Sequence, residues 1–299
     1  MGEKYVIWHI EGGLGKNIAA TSLIEDLSKS NSTRKLIVVC SFPEIFLNNP
    51  FIYRVFDINK LSYFYSDYIK NKDTKIFRHD CYYDEDFIKG KSHMIQSWCN
   101  ILGIEYKNQY PKLYLNYAQI ETNKKWLREK PILVLQTTGG PNVGVDNKPV
   151  ENYNWVRDIP LEMGMYISQH FSKIFHIIHV TRPGGYILPN VERIDYQISC
   201  LELAALLKIS TKRILIDSAL QHIAASLEIK SDVFWIGTSP SVYGYANHNN
   251  IVAKPGKDNN QLISSYNIEY GLDSNLLECP YKDVRDMFDL ETITTSLEY

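Results

Sequence analysis

The stretch Ile214-Leu215-Ile216-Asp217-Ser218-Ala219-Leu220-Gln221-His222-Ile223-Ala224-Ala225-Ser226-Leu227 decides the fold. An apolar run stops at an acid and a hydroxyl, and small residues then lead at helical spacing into Leu227. This predicts a buried strand that ends where a helix begins. Open α/β sheets bind ligands at such junctions, because first-turn N–H groups lack intrahelical acceptors and the helix dipole favours negative charge. Asp217, Ser218 and His222 are therefore candidate contacts to an anionic, phosphate-bearing small molecule. A helix N-cap would account for Asp217, and a core histidine for His222, without any ligand.

The same alternation extends through the chain. Strands are expected at 5–10, 36–40, 132–135, 175–180, 213–216 and 232–236. Helices are expected over 18–27, 95–102, 161–171, 201–207 and 218–227. The tyrosine- and lysine-rich region 59–109 resists assignment outside 95–102, and Pro131 marks a boundary. Alternation in both halves predicts two Rossmann-like parallel-sheet domains, 1–130 and 131–280, facing one another across a cleft. A C-terminal helix over about 281–299 is expected to pack back on the first domain.

A chain of 299 residues accommodates two such cores. The formal net charge of −2 argues against a dominant nucleic-acid or membrane surface. Five scattered cysteines without a CxxC pair point to a reducing compartment, the cytoplasm, rather than to disulfides or zinc. No signal peptide is expected, and no apolar run reaches the ~20 residues that span a bilayer. His176 and His179 stand three apart on an expected strand, hence on opposite faces, and are poor joint metal ligands.

Near the start, Gly12-Gly13-Leu14-Gly15-Lys16-Asn17 follows the first strand. The glycines are too close together for a Walker loop, and Ile18 stands where a dinucleotide fingerprint needs its third glycine. A tight turn into a helix remains, as does close approach of Gly13 and Gly15 backbone to a ligand at a helix start.

Taken in order, these motifs resemble the heptosyltransferase-like family 9 glycosyltransferases. Gly12-Gly13-Leu14-Gly15 with Ala20-Thr21 and Leu23-Ile24 is similar to that family's opening, as are Leu36-Ile37-Val38-Val39, Asn48-Asn49-Pro50 and Arg54-Val55. The run Asp217-Ser218-Ala219-Leu220-Gln221-His222-Ile223-Ala224-Ala225 is similar to its Asp-Thr/Ser-Gly-x-x-His-x-Ala-Ala signature. Ile236-Gly237-Thr238-Ser239-Pro240 is similar to the loop that follows. The likeness covers about residues 5–250.

The resemblance implies a GT-B fold and a metal-independent, inverting transfer from a nucleotide-sugar, a co-substrate rather than a bound cofactor. It places Asp217, Ser218, His222 and Thr238 beside the donor, together with Thr137 and Thr138 after the second domain's first strand. Lys148 falls in the region of a family lysine, and Arg182 closes the next strand near the base or phosphates. The family carries an aspartate straight after the glycine loop, proposed as the base for the acceptor hydroxyl. Lys16 stands there instead, which leaves Lys16, Glu11 and His9 as candidates. On the acceptor side, Tyr63 and Tyr65 sit among lysines, suited to stacking on sugar rings or exposed bases. A saccharide acceptor fits this, and a modified DNA base is the alternative. A third reading is a silent nucleotide-sugar-binding or glycan-binding protein.

Overall fold

The computed structural model describes residues 2–139, 155–195, 198–255, 279–289 and 297. The chain forms two compact units, Met1–Ala118 and Gln119–Tyr299. The boundary lies earlier than the expected 130/131. Segment 119–130 belongs with the second unit, where Lys125 pairs with Glu202 at 3.6 Å and Arg128 with Glu192 at 3.1 Å.

In the first unit, strands β1 (Lys4–Ile10), β2 (Lys35–Cys40), β3 (Arg54–Asp57) and β4 (Asp73–Phe77) form a parallel sheet in the order β3-β2-β1-β4. The expected helix over 18–27 is broken in two. Helix α1 (Leu14–Ala20) and helix α2 (Ile24–Ser30) are joined by a tighter turn at Thr21–Leu23. There the Thr21 and Ser22 hydroxyls donate back to the carbonyls of Ile18 and Ala19, competing with the regular helical ladder. Helices α3 (Phe64–Tyr68), α4 (Glu85–Ile88) and α5 (Met94–Leu102) follow. Tyr5 and Ile7 pack with Ile37, Val39, Phe64 and Tyr68 on one face of the sheet. On the other face Trp8 meets Trp98 of α5 edge-on, ring centroids 5.6 Å apart.

Helix α6 (Tyr117–Glu121) leads into the second unit. Its strands β5 (Ile132–Gln136), β6 (His176–Thr181), β7 (Val191–Asp195), β8 (Lys212–Ile216), β9 (Asp232–Trp235) and β10 (Asn249–Val252) are all parallel, in the order β10-β9-β8-β5-β6-β7. From β5 outward this is the doubly wound dinucleotide-fold order, whose strand sequence reverses between β5 and β8. Helices α7 (Leu161–Phe171), α8 (Cys200–Ile209), α9 (Ala219–Ser226), α10 (Pro240–Tyr243) and α11 (Val284–Met287) complete its described helices.

Tyr281, Met287, Phe288 and Leu297 join the second unit's core, with Phe288 edge-on to Phe234. The Lys254 N–H also donates to the Met287 carbonyl. The described residues of the C-terminal segment thus pack in the second unit, which corrects the expectation that 281–299 covers the first. Their apolar side chains extend the layer that β9 already buries.

Candidate functional site

In the second unit the crevice lies where β5 and β8 diverge. Gly139, just past β5, comes so close to the β8 turn that an added Cβ would sit 3.2 Å from Ile216 and 3.3 Å from Ser218. Ser218 is the N-cap of α9, but its hydroxyl makes no capping bond. That hydroxyl and the first N–H groups of α9 are left for an anion. Asp217 is 4% exposed, and its Oδ2 lies 3.6 Å from the Arg157 guanidinium without a hydrogen-bond partner among the described residues.

The segment carrying Arg157 is tied down from both sides. Gly237 N–H donates to the Val156 carbonyl at 2.8 Å, and Ile159 N–H to the Thr137 carbonyl at 2.9 Å. Next to it Asp158 accepts the Gly139 N–H and pairs with Arg182. Arg182 in turn donates to the Gly139 carbonyl at 3.0 Å. Burial pushes the Asp158 carboxyl up to about 6, against the pull of Arg182 and the Gly139 N–H. Two arginines thus line the rim of one crevice, each held by a carboxylate. Both are groups that a diphosphate can engage by charge-assisted, bidentate bonds.

The other donor-side candidates separate by burial. Thr137 is fully buried and bonds His179 through Oγ1, while Thr138 bonds Thr181 and accepts the Arg182 N–H. Their hydroxyls secure the end of β5, a strand covered on both faces. His222 is also internal. The Gln221 amide donates to its Nε2, and Nδ1 bonds the Tyr245 hydroxyl at 2.8 Å. Gln221 is itself anchored on the Tyr243 carbonyl. His222 therefore presents no open ring nitrogen, as expected of a core histidine. Thr238 is 1% exposed, with an Oγ1 that finds no partner among the described residues. Lys148 lies outside the described residues. His176 pairs with Glu192, away from His179.

In the first unit the strand order reverses between β1 and β4, and the glycine loop closes that end. Gly12, at φ +97°, is the glycine the turn requires, since L side chains rarely adopt that conformation. An added Cβ there would also stand 3.0 Å from the Lys16 ammonium. Gly13 has open space around it, and Gly15 lies within α1. The Asn17 amide clamps the loop by donating to the carbonyls of Gly12 and Gly13.

Lys16 turns inward. Its ammonium bonds Asp80 Oδ2 at 2.7 Å and lies 3.8 Å above the Tyr82 ring. Glu11 is exposed and 3.6 Å from Arg78. His9 is partly buried at the end of β1, and burial followed by the Arg78 charge pushes its imidazole below the usual histidine range. It is therefore neutral at pH 7 and able to accept a proton.

The aromatic run after β3 divides by face. Phe64 and Tyr68 are core, and the Tyr68 hydroxyl accepts from Arg54. Tyr63 and Tyr65 are 81% and 64% exposed, and Tyr63 holds a left-handed backbone at the start of α3. Arg157 and Asp158 at the second unit's crevice, and Asp80 and Tyr82 beside Lys16, are candidates that sequence reasoning did not find. Among the described residues no group of three His, Cys, Asp or Glu is placed to hold a metal ion. No described helix is long and apolar enough to cross a membrane.

No protein-family model matches the chain, and no curated protein matches its sequence. Solved structures match its fold. A family 9 glycosyltransferase from Veillonella parvula gives a TM-score of 0.68 over 99% of this chain and 96% of its own, at 14% identity. The ADP-heptose LPS heptosyltransferase II of E. coli gives 0.60 over 91% and 98%, at 11% identity. The E. coli heptosyltransferase WaaC, solved with ADP, gives 0.54 over 89% and 98%, at 14% identity. The chain shares the GT-B fold of these structures, built from two Rossmann-like parallel-sheet units.

Proposed function

We propose that the chain is a glycosyltransferase that takes a nucleotide-sugar into the β5/β8 crevice and moves its sugar to a hydroxyl acceptor with inversion. The observation that carries this reading is the union, at one switch point, of an uncapped α9 terminus, the Ser218 hydroxyl and the Arg157 and Arg182 guanidiniums. Each can take up charge on a departing diphosphate, so the leaving group is stabilised where charge develops. Because the protein itself supplies that positive charge, the transfer is proposed to need no metal. A direct displacement then requires a base for the acceptor hydroxyl. A saccharide acceptor fits exposed Tyr63 and Tyr65, whose rings are free to stack on sugar. The net charge of −2 does not favour modified DNA.

Thermal melts with ADP-, GDP- and UDP-sugars test the reading, since a ligand that binds only the folded form raises the melting temperature. One of these is expected to raise it, with and without EDTA, and ADP-sugars come first because one structure of this fold holds ADP. No shift with any of them at millimolar concentration would sink the proposal. A shift abolished by EDTA would remove its metal independence.

Arg157→Ala is expected to weaken the stabilising nucleotide-sugar by roughly 10–100-fold, the loss of charge-assisted bonds worth about 1.5–3 kcal/mol. Titration calorimetry reads this directly. Arg157→Lys should recover part of the loss, because the charge stays while the planar fork is gone. An unchanged affinity in Arg157→Ala would place the diphosphate elsewhere.

A further inference from the structure

We propose that Asp158 is the positioning residue that aims the Arg182 guanidinium at the donor's diphosphate, and that the donor enters with uptake of a proton by that carboxyl. The proposal rests on the donor reading above and lies wholly within the second unit.

The carboxylate, the guanidinium and Gly139 close a ring. Asp158 Oδ1 accepts the Gly139 N–H at 3.0 Å, Asp158 Oδ2 pairs with Arg182 Nη2, and Arg182 Nη1 donates to the Gly139 carbonyl at 3.0 Å. Gly139 stands just past β5 and Arg182 just past β6. Asp158 is held beside them because its neighbour Ile159 donates to the Thr137 carbonyl. The ring stands against the turn after β8, since a Cβ added to Gly139 would lie 3.4 Å from the Ser218 hydroxyl.

Asp158 takes only one edge of the guanidinium. Its oxygens face Nη1, at 3.5 Å, and Nη2. The other edge consists of the Nε–H and the second Nη2 N–H, and neither has an acceptor among the described residues. A phosphate can take that edge by two parallel bonds. Because the ring already fixes the long side chain, little rotamer entropy is left to lose when the donor binds.

The same ring sets two anions on one cation. The side chains of Arg182 and Asp158 are only 10% and 12% exposed, so water and salt screen them weakly. The groups that face the carboxylate are Arg182, the Gly139 N–H, Arg157 next to it in the chain, and the Tyr186 phenol, on which Glu162 of α7 also acts. Burial pushes that phenol up, so it stays neutral, and Arg157 already stands 3.6 Å from Asp217. A diphosphate on the open edge of Arg182 therefore brings negative charge towards a carboxylate whose cations are shared. A proton on Asp158 removes the repulsion. Burial holds this carboxyl at about 6, so a donor that moves it to about 7 makes it take up the proton near neutral pH.

Below both values the carboxyl is protonated with or without donor, and above both it is ionised in either state. Between them binding takes up a proton, so affinity falls as pH rises. For a move from about 6 to about 7, uptake at pH 7 is about 0.4 proton, and affinity weakens about fivefold between pH 6 and pH 8.

Titration calorimetry on the full chain tests this, with whichever ADP-, GDP- or UDP-sugar stabilises it, in buffers of different ionisation heat. Each phosphate of a nucleotide-sugar keeps a single charge from pH 6 to pH 8, so any proton taken up goes to the protein. The parent is expected to show the uptake and the fivefold weakening. Asp158→Asn is expected to bind the donor without either. A merely structural role would change affinity equally at both pH values and leave the uptake in place.

No uptake by the parent at pH 7 overturns the proposal, and so does uptake that survives in Asp158→Asn. Where that variant does not fold, the carboxyl carbon signals of aspartate-labelled parent protein decide. One that titrates near 6 and moves upward with donor supports the proposal, and the absence of any such signal overturns it. Failure of every donor to bind is a different result, which removes the transfer reading itself and this inference with it.

Discussion

Replacing Arg182 with alanine is expected to destabilise the protein by about 3–5 kcal/mol at pH 7.5, the range for breaking a buried ion pair from one side. Arg182 and Asp158 are 10% and 12% exposed, and Arg182 also ties the Gly139 carbonyl to the end of β6. The cost comes mainly from the carboxylate left behind. Burial already holds Asp158 at about 6, above its ordinary 3.8, with Arg182 opposing the rise. The folded form therefore binds the proton more tightly than the unfolded chain does. Its contribution to stability falls as pH rises from about 4 through about 6. Without Arg182 the carboxyl rises further and that fall continues above pH 6. Urea melts at pH 5.5 and 7.5 should thus show a smaller penalty at the lower pH. Adding Asp158→Asn should return part of the loss at pH 7.5. Equal penalties at both pH values would mean that the unpaired carboxylate is not the source.

The same residues show why the site was only partly legible. The junction at 214–227 was readable because a strand covered on both faces is a continuous apolar run, and its end beside small helical residues is local in sequence. Helix 161–171 was legible for the same reason, and its observed bounds agree. The strands that went unread, β3, β4, β7 and β10, are the four edge strands of the two sheets. An edge strand is half solvated and carries polar residues, as in Asp73-Thr74-Lys75-Ile76-Phe77, so it shows no apolar run.

The site residues follow a parallel rule. Asp217 and Ser218 lie within the motif that defined the junction. Arg157 and Asp158 follow a long polar stretch of sequence, and backbone bonds hold them at the crevice by tying Val156 to Gly237, just past β9, and Ile159 to Thr137, just past β5. Lys16 read as a departure from a pattern that needs an acid. Its partner Asp80 is 64 residues away, in the stretch that resists assignment. Only the strand order β3-β2-β1-β4 brings the two together.

That strand order also makes the first unit's crevice depend on Trp8, and Trp8→Ala is expected to cost about 3–5 kcal/mol, as for other buried large-to-small changes. Trp8 is fully buried, and it supports β1 just before His9, Glu11 and the glycine loop. The cavity would remove the edge-on contact with Trp98 and loosen α5, which packs against both α1 and the turn that carries Tyr82. Trp8→Phe separates two effects that alanine confounds. The indole Nε1 is buried and has no hydrogen-bond partner among the described residues. An orphan donor of this kind costs about 1–3 kcal/mol. Phenylalanine removes it while keeping most of the ring, so the volume lost is largely offset. Trp8→Phe should therefore cost no more than about 1 kcal/mol in urea melts. A loss nearer to that of Trp8→Ala would show that the indole N–H is satisfied in solution, by a buried water for example. In that case the donor is not an unpaired one, and Trp8 stabilises the glycine-loop unit through that hydrogen bond as well as through its packing against Trp98.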